Sequence, residues 1–242
     1  MRILFAISIA IVILTTVPAQ AQDISLSLGG DGSLTARSVQ LFVLITIISL
    51  VPGIAIMVTC FPFIVTVLAI LRQAIGLQQS PPNMMMVSLA LFLTYFVMEP
   101  VFKESYRRGV EPLIAGTMEV EPAFQEAMAP LRGFMANRID PQTFEDLASL
   151  RDDVELNIPP SKAPLSVLIP SFMLSELERA FQVGFLIFLP FLIIDLVVAA
   201  VLMSMGMMMV PPAIVSLPFK LAFFVVADGW GLIAASLVRS YN

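Results

Sequence analysis

The chain has 242 residues, 58% of them hydrophobic and 13% charged, where soluble domains average about 25% charged, so it reads as a membrane protein. It contains no histidine and one cysteine, and its net charge is -5. Those numbers remove the commonest general base and metal ligand, exclude an intramolecular disulfide framework, leave no zinc site or Cys-His nucleophile to assemble, and argue against nucleic acid as a partner.

The first segment, 1–21, reads as a signal peptide. Arg2 supplies the positive start, residues 3–17 the apolar core, and Ala19-Gln20-Ala21 an A-x-A cleavage site before Gln22. A retained first span would need roughly 20 apolar residues, and this run is shorter. Cleavage after Ala21, with Ala19 and Ala21 as the small residues of the site, leaves a short periplasmic segment, 22–40, and starts the mature chain outside the cytoplasmic membrane. No charge occurs between Arg37 and Arg72, so 41–103 reads as a first membrane hairpin. Its first arm, 39–71, is interrupted by Pro52-Gly53 and Pro62, which predict kinks or a broken helix. A connector with Pro81-Pro82 precedes a second apolar helix over 84–101.

The middle, 104–179, reads as a periplasmic polar insert. Residues 103–179 hold 8 of the 13 basic and 13 of the 18 acidic residues, with amphipathic pieces at 124–134 and 144–150 that predict partial helix. Residues 180–242 read as a second membrane hairpin, with helices over 180–204 and 213–238. The positive-inside rule is a weak check here, because the inner connectors offer only Arg72. The fold class is therefore an all-α integral membrane protein, two apolar hairpins with kinked helices and a partly helical polar insert.

The junction of the second hairpin carries the strongest local signal. It reads Met205-Gly206-Met207-Met208-Met209-Val210-Pro211-Pro212, where a hairpin normally places a polar turn. Met side chains are unbranched and adaptable and seal irregular gaps, while Pro-Pro cannot continue a helix. A greasy, deformable, non-helical loop between two membrane-grade helices suits a constriction. The first connector is alike in one respect, since Pro81-Pro82 stands beside Met84-Met85-Met86.

Glu99, Asp195, Lys220 and Asp228 lie inside or at the edge of apolar helices, where an ionisable group is costly and faces a partner or a wet cavity. Asp195 and Lys220 stand about 12 residues on either side of the centre of the Met loop, which puts them at one depth of an antiparallel hairpin, roughly 18 Å from the turn. Three readings stay open: an intramembrane ion pair fixing register, a proton or ion relay, and an interface pair with another subunit. Glu176 and Glu178 precede the third apolar helix and suit a helix first turn better than catalysis. Asp228-Gly229-Trp230 suggests close packing and an interfacial aromatic, and Cys60 a packed small hydrophobe. No enzyme, cofactor or metal site is expected.

Several segments resemble the FliP family of flagellar biosynthesis proteins. They are Leu71-Arg72-Gln73-Ala74-Ile75-Gly76, Pro81-Pro82-Asn83, Leu89-Ala90-Leu91-Phe92-Leu93-Thr94, Phe181-Gln182-Val183-Gly184-Phe185-Leu186, Phe188-Leu189-Pro190-Phe191-Leu192, Ile194-Asp195-Leu196-Val197, the run 203–212 and Ser216-Leu217-Pro218-Phe219-Lys220. The resemblance covers about 40–103 and 165–240. It departs at Phe63, where the family usually has a basic residue, and over 84–88.

The resemblance implies a core subunit of a type III export gate in the bacterial cytoplasmic (inner) membrane, at the flagellar basal body. Five copies would assemble with FliQ and FliR subunits among membrane lipid and pass unfolded polypeptides, with Met207, Met208 and Met209 as the pore gasket. Virulence-type secretion systems contain homologous subunits, usually without a cleavable signal peptide, so the one here favours the flagellar branch. A proton-coupled transporter would need more intramembrane acids, and a passive scaffold would not need the Met-rich breaker.

Overall fold

The computed structural model describes residues 34–76, 81–151, 158–207 and 209–241. The chain divides into two units, 1–46 and 47–242, and the described part of the first is only the start of helix α1 (Leu34–Met57). The predicted signal peptide, with Ala19 and Ala21, lies outside the described residues. Every element in the described residues is helical.

In the second unit α1 continues through Pro52 to Met57, and its side chains from Ile47 to Met57 are exposed. The break falls at 58–60, before α2 (Phe61–Ile75), which carries Pro62 in its first turn. A proline there gives up an N–H that has no helical partner anyway, so Pro62 starts a helix and Pro52-Gly53 does not end one. Along α2 the buried residues Phe63, Ile64, Val67, Leu68, Leu71, Ala74 and Ile75 recur at helical spacing, one apolar stripe of the kind that drives a helix into a core. They pack with Met86, Ala90 and Met98 of α3 (Asn83–Ser105), and with Ala180, Phe191, Phe224 and Leu237 further on. Cys60 is fully buried in the same cluster.

A π-helical turn, Tyr106–Val110, leads from α3 into the insert. There α4 (Glu111–Ile114), α5 (Val120–Ala136), α6 (Pro141–Ser149) and a 3-10 turn, Pro160–Lys162, follow in order. The π turn packs closely on α5: a Cβ on Gly109 would stand 2.3 Å from the Ala123 carbonyl oxygen and 2.5 Å from the Ala127 Cβ. Asp140 opens α6 by accepting from the Thr143 N–H at 2.9 Å, with Pro141 in the first turn. The backbone N–H of Asp140 donates to Ser175 Oγ at 2.9 Å.

The third apolar helix is longer than the sequence suggests. It begins at Leu165 and runs unbroken to Ser204 as α7, 40 residues with Pro170 and Pro190 inside, about 60 Å at 1.5 Å per residue. That is roughly twice the hydrocarbon thickness of a bilayer. The expected boundary at 179/180 therefore falls within one helix, whose first three turns belong to the insert: Val167, Leu168 and Phe172 pack with Met135, Ile139, Phe144 and Ala148.

The last apolar stretch is two helices, α8 (Pro212–Val226) and α9 (Gly229–Arg239), bent by 61°. Asp228 makes the bend in a left-handed conformation at φ 48°, which a non-glycine residue adopts only at a cost. Gly229 is required by space, because a Cβ there would lie 2.2 Å from the Phe224 ring, against which Trp230 packs edge-on at 5.3 Å. Among the described residues, three helices are long and apolar enough to cross a membrane, or four if α8 and α9 count as one bent span.

Candidate functional site

The Met loop follows a closed helix end. At the end of α7 the Gly206 N–H donates to the Met203 carbonyl at 3.0 Å, and the Met207 N–H to the Leu202 carbonyl at 3.0 Å. That is the paired 5→2 and 6→1 bonding of a Schellman stop. Gly206 takes the left-handed residue of the stop, at φ 73°, where a Cβ would be strained. Pro211 is then the N-cap of α8, with Pro212 in its first turn. The exposed apolar side chains of the loop are Met205, Met207 and, at 98%, Met209. Met208 lies outside the described residues. Met207 also lines an apolar groove of about 570 Å³ between α7 and α8, with Val201, Leu202, Met205 and Phe219.

The described ends of the first connector share two of these features, a left-handed glycine and a proline N-cap. Gly76, at φ 86°, closes α2 with its N–H on the Gln73 carbonyl at 3.1 Å, and Pro82 is the N-cap of α3. Gly76 precedes Pro81-Pro82 by the same number of residues as Gly206 precedes Pro211-Pro212. The prolines and methionines are visible in the sequence as a likeness between the two reversals. The shared glycine stop is visible too, once helix ends are sought by their αL residue.

Below the loop, the second hairpin is tied by charge. Lys220 Nζ lies 2.5 Å from Asp195 Oδ2, and Ser216 Oγ donates to Asp195 Oδ1 at 2.5 Å. The same ammonium donates to the Ala74 carbonyl at 3.1 Å, so one cation joins α7, α8 and the last turn of α2. The Lys220 side chain is 8% exposed and the Asp195 side chain 36%. Ser216 stands one turn before Lys220 on α8, and that i, i+4 spacing on one helix face is the signal that would have found it. The Ala74 contact, 146 residues away in sequence, leaves no local trace.

A second charged knot sits where the insert meets both hairpins. Glu176, fully buried, accepts from Arg138 Nε at 2.9 Å and from the Tyr241 hydroxyl, with Arg179 Nη1 at 3.5 Å. Arg138 also donates to the Ser240 carbonyl at 2.7 Å and lies 4.1 Å from the centre of the Tyr241 ring. Burial, then the charge of Glu176, pushes the Tyr241 phenol up from its ordinary value, so it stays a donor. The sequence places Glu176 in a helix first turn; in the structure it lies mid-helix, about three turns into α7, and is held by partners distant in sequence. Phe63, where the resemblance leads one to expect a basic residue, sets its ring edge-on against Tyr241 at 5.6 Å. Among the other ionisable residues near apolar helices, Glu99 pairs with Lys103 at 2.6 Å on α3.

These features define an all-α, membrane-type protein whose second hairpin turns on a glycine stop and a Pro-Pro pair, is tipped with methionine and is tied by a half-buried ion pair. The chain belongs to the FliP family, whose model matches residues 44–237. It is 52% identical to the flagellar biosynthetic protein FliP of Caulobacter vibrioides over 234 residues, which cover 93% of this chain and 84% of that protein. It is 48% identical to the flagellar biosynthetic protein FliP of Rhizobium meliloti, over 87% of this chain and 86% of the relative. Identity to the flagellar biosynthetic protein FliP of Bacillus subtilis is 44%, over 87% and 95%.

Proposed function

We propose that this protein is a core, pore-forming subunit of the flagellar type III export gate and passes unfolded flagellar polypeptides across the cytoplasmic membrane. Several copies, five by the family resemblance, surround a pore with FliQ and FliR subunits at the flagellar basal body. The observation that carries the reading is Met209, 98% exposed at the tip of a hairpin whose first arm ends in the Gly206 stop and whose arms are joined by Asp195 and Lys220. A large apolar side chain held out by stiff supports matches a ring of such side chains closing a pore, since an apolar constriction excludes water and ions by dewetting. Met205, Met207 and Met208 supply more thioether chains to the same ring.

The flagellar names of relatives at 44–52% identity favour a flagellar over a virulence-type apparatus. The orientation follows the signal peptide: the insert and the last residues lie in the periplasm, and the Met loop faces inward. A deletion strain tests the role. It should be non-motile and lack hook and filament while still making their subunits inside the cell, and normal filaments in that strain would exclude an export-gate role.

A further inference from the structure

A cleft of about 750 Å³ opens between the second half of α2 and the start of α8, lined among others by Ala69, Ile70, Arg72, Gln73, Ala213 and Lys220. That volume is ample for part of a lipid-sized ligand. Its polar end holds two cations and its wall is aliphatic. Of the two, Lys220 is 8% exposed and is matched by Asp195, with a second N–H on the Ala74 carbonyl. An ammonium carries three donors, so one is left on the residue that lines the cleft. Arg72 binds only a neutral group, Asn83 Oδ1, and no ion pair to it occurs among the described residues. The cleft therefore carries an uncompensated positive charge.

Position along the chain gives the second argument. Arg72 is the first charge after the uncharged run that begins at Ser38, so on the membrane reading of the fold it stands at the polar end of that run. A cation there, beside an aliphatic wall, meets the phosphate of a lipid on one side and its acyl chain on the other. The geometry points to an anionic phospholipid bound in this cleft, its phosphate on Arg72 and the free donor of Lys220, its chain along Ala69 and Ile70. The inference rests on the membrane reading of the fold and not on export. A free phosphate ion would satisfy the cations and leave the apolar wall bare.

The test uses the assembled complex purified in mild detergent and stripped of lipid, then given equal amounts of phosphatidylglycerol and phosphatidylcholine and read by native mass spectrometry. The wild type should keep phosphatidylglycerol in preference to phosphatidylcholine. Arg72→Gln should lower that retention about tenfold, the scale of one charge-assisted hydrogen bond. Ala69→Phe, a change at an exposed position that fills the wall and leaves both cations, should lower it as well. Native gels must show the complex intact in both variants for the comparison to count.

Four results overturn the inference: equal retention of the two lipids, undiminished retention in Arg72→Gln, indifference to Ala69→Phe, and displacement of the lipid by millimolar inorganic phosphate. The last two would make the cleft a simple anion site. Binding to the isolated chain but not to the assembled complex also overturns it, because a neighbouring subunit's carboxylate would then fill the cleft.

Discussion

Lys220 and Asp195 stand 2.5 Å apart on opposite arms of the second hairpin, yet only the ammonium is buried: its side chain is 8% exposed and the carboxylate's 36%. The pair is therefore asymmetric. Asp195→Ala strands a buried cation, a loss of about 3–5 kcal/mol for a fully buried pair and toward the lower end here, since Asp195 is partly solvated. Lys220→Met strands a carboxylate that keeps Ser216 and water. We expect Asp195→Ala to lower thermal stability and complex abundance more than Lys220→Met. The charge-swapped double mutant should recover part of the loss, incompletely because an aspartate at 220 would face the Ala74 carbonyl. Strictly additive single-mutant defects would refute direct pairing.

The apolar segments and the depth match of Asp195 and Lys220 are legible in the sequence because each depends on one local quantity, hydropathy or distance from a turn. What was not legible depends on partners far along the chain. Residues 165–179 look like part of a polar insert, since Ser175, Glu176, Glu178 and Arg179 break the apolar run. They continue α7 because Glu176 is matched by Arg138 and Tyr241, 38 and 65 residues away. The bend at Asp228 carries no proline. It comes from a left-handed aspartate followed by a glycine on which the Phe224 ring sits.

The Glu176 knot makes a prediction about alkaline pH. The Tyr241 phenol is raised above its ordinary value by burial and by Glu176, whereas in the unfolded chain it titrates near about pH 10. A raised pKa contributes stability that is complete below the unfolded value and is lost as pH rises above it. Wild-type thermal stability in detergent should fall between pH 9 and about 11 more steeply than that of Tyr241→Phe. At pH 7 Tyr241→Phe should already cost about 1.5–3 kcal/mol, for a hydrogen bond to a charged group. Parallel pH curves for the two proteins would remove Tyr241 from the knot.

At the acid end Asp140 acts with the opposite sign. The Thr143 backbone N–H, then the Thr143 hydroxyl, holds its carboxyl below the ordinary range. Its contribution is present at neutral pH and is lost as pH falls below about 4, first by protonation in the unfolded chain. Asp140→Asn keeps an N-cap oxygen and should flatten that part of the acid-unfolding curve. An unchanged acid slope would show that the cap carries no charge dependence.

The mature N-terminus decides orientation. If Ala19-Gln20-Ala21 is the cleavage site, mass spectrometry of the membrane-extracted protein should find Gln22 as the first residue. A protein retaining Met1 would place the insert and the Met loop on the opposite sides of the membrane from those proposed.

The Met loop separates packing from gating, because its methionines are not equivalent. Met207 is the residue after the Gly206 stop and lines the groove with Leu202 and Met205, so part of its side chain supports the hairpin. Met209 is 98% exposed and is buried by no other side chain among the described residues. Met209→Ala should therefore leave stability and assembly intact, and if rings of this side chain close a pore it should raise the resting leak of ions or small molecules. Replacing Met207, Met208 and Met209 together with Ala should raise the leak further, with a modest loss of stability from the groove. Met bends around side chains of differing size on an unfolded polypeptide, so Met209→Phe should close the resting pore yet slow export. If the methionines only pack against neighbouring copies, Met209→Ala would instead reduce complex on a native gel, and the complex that survives would not leak. Conductance measured beside complex abundance distinguishes the two, and an intact complex with unchanged leak in the triple variant would end the gasket reading.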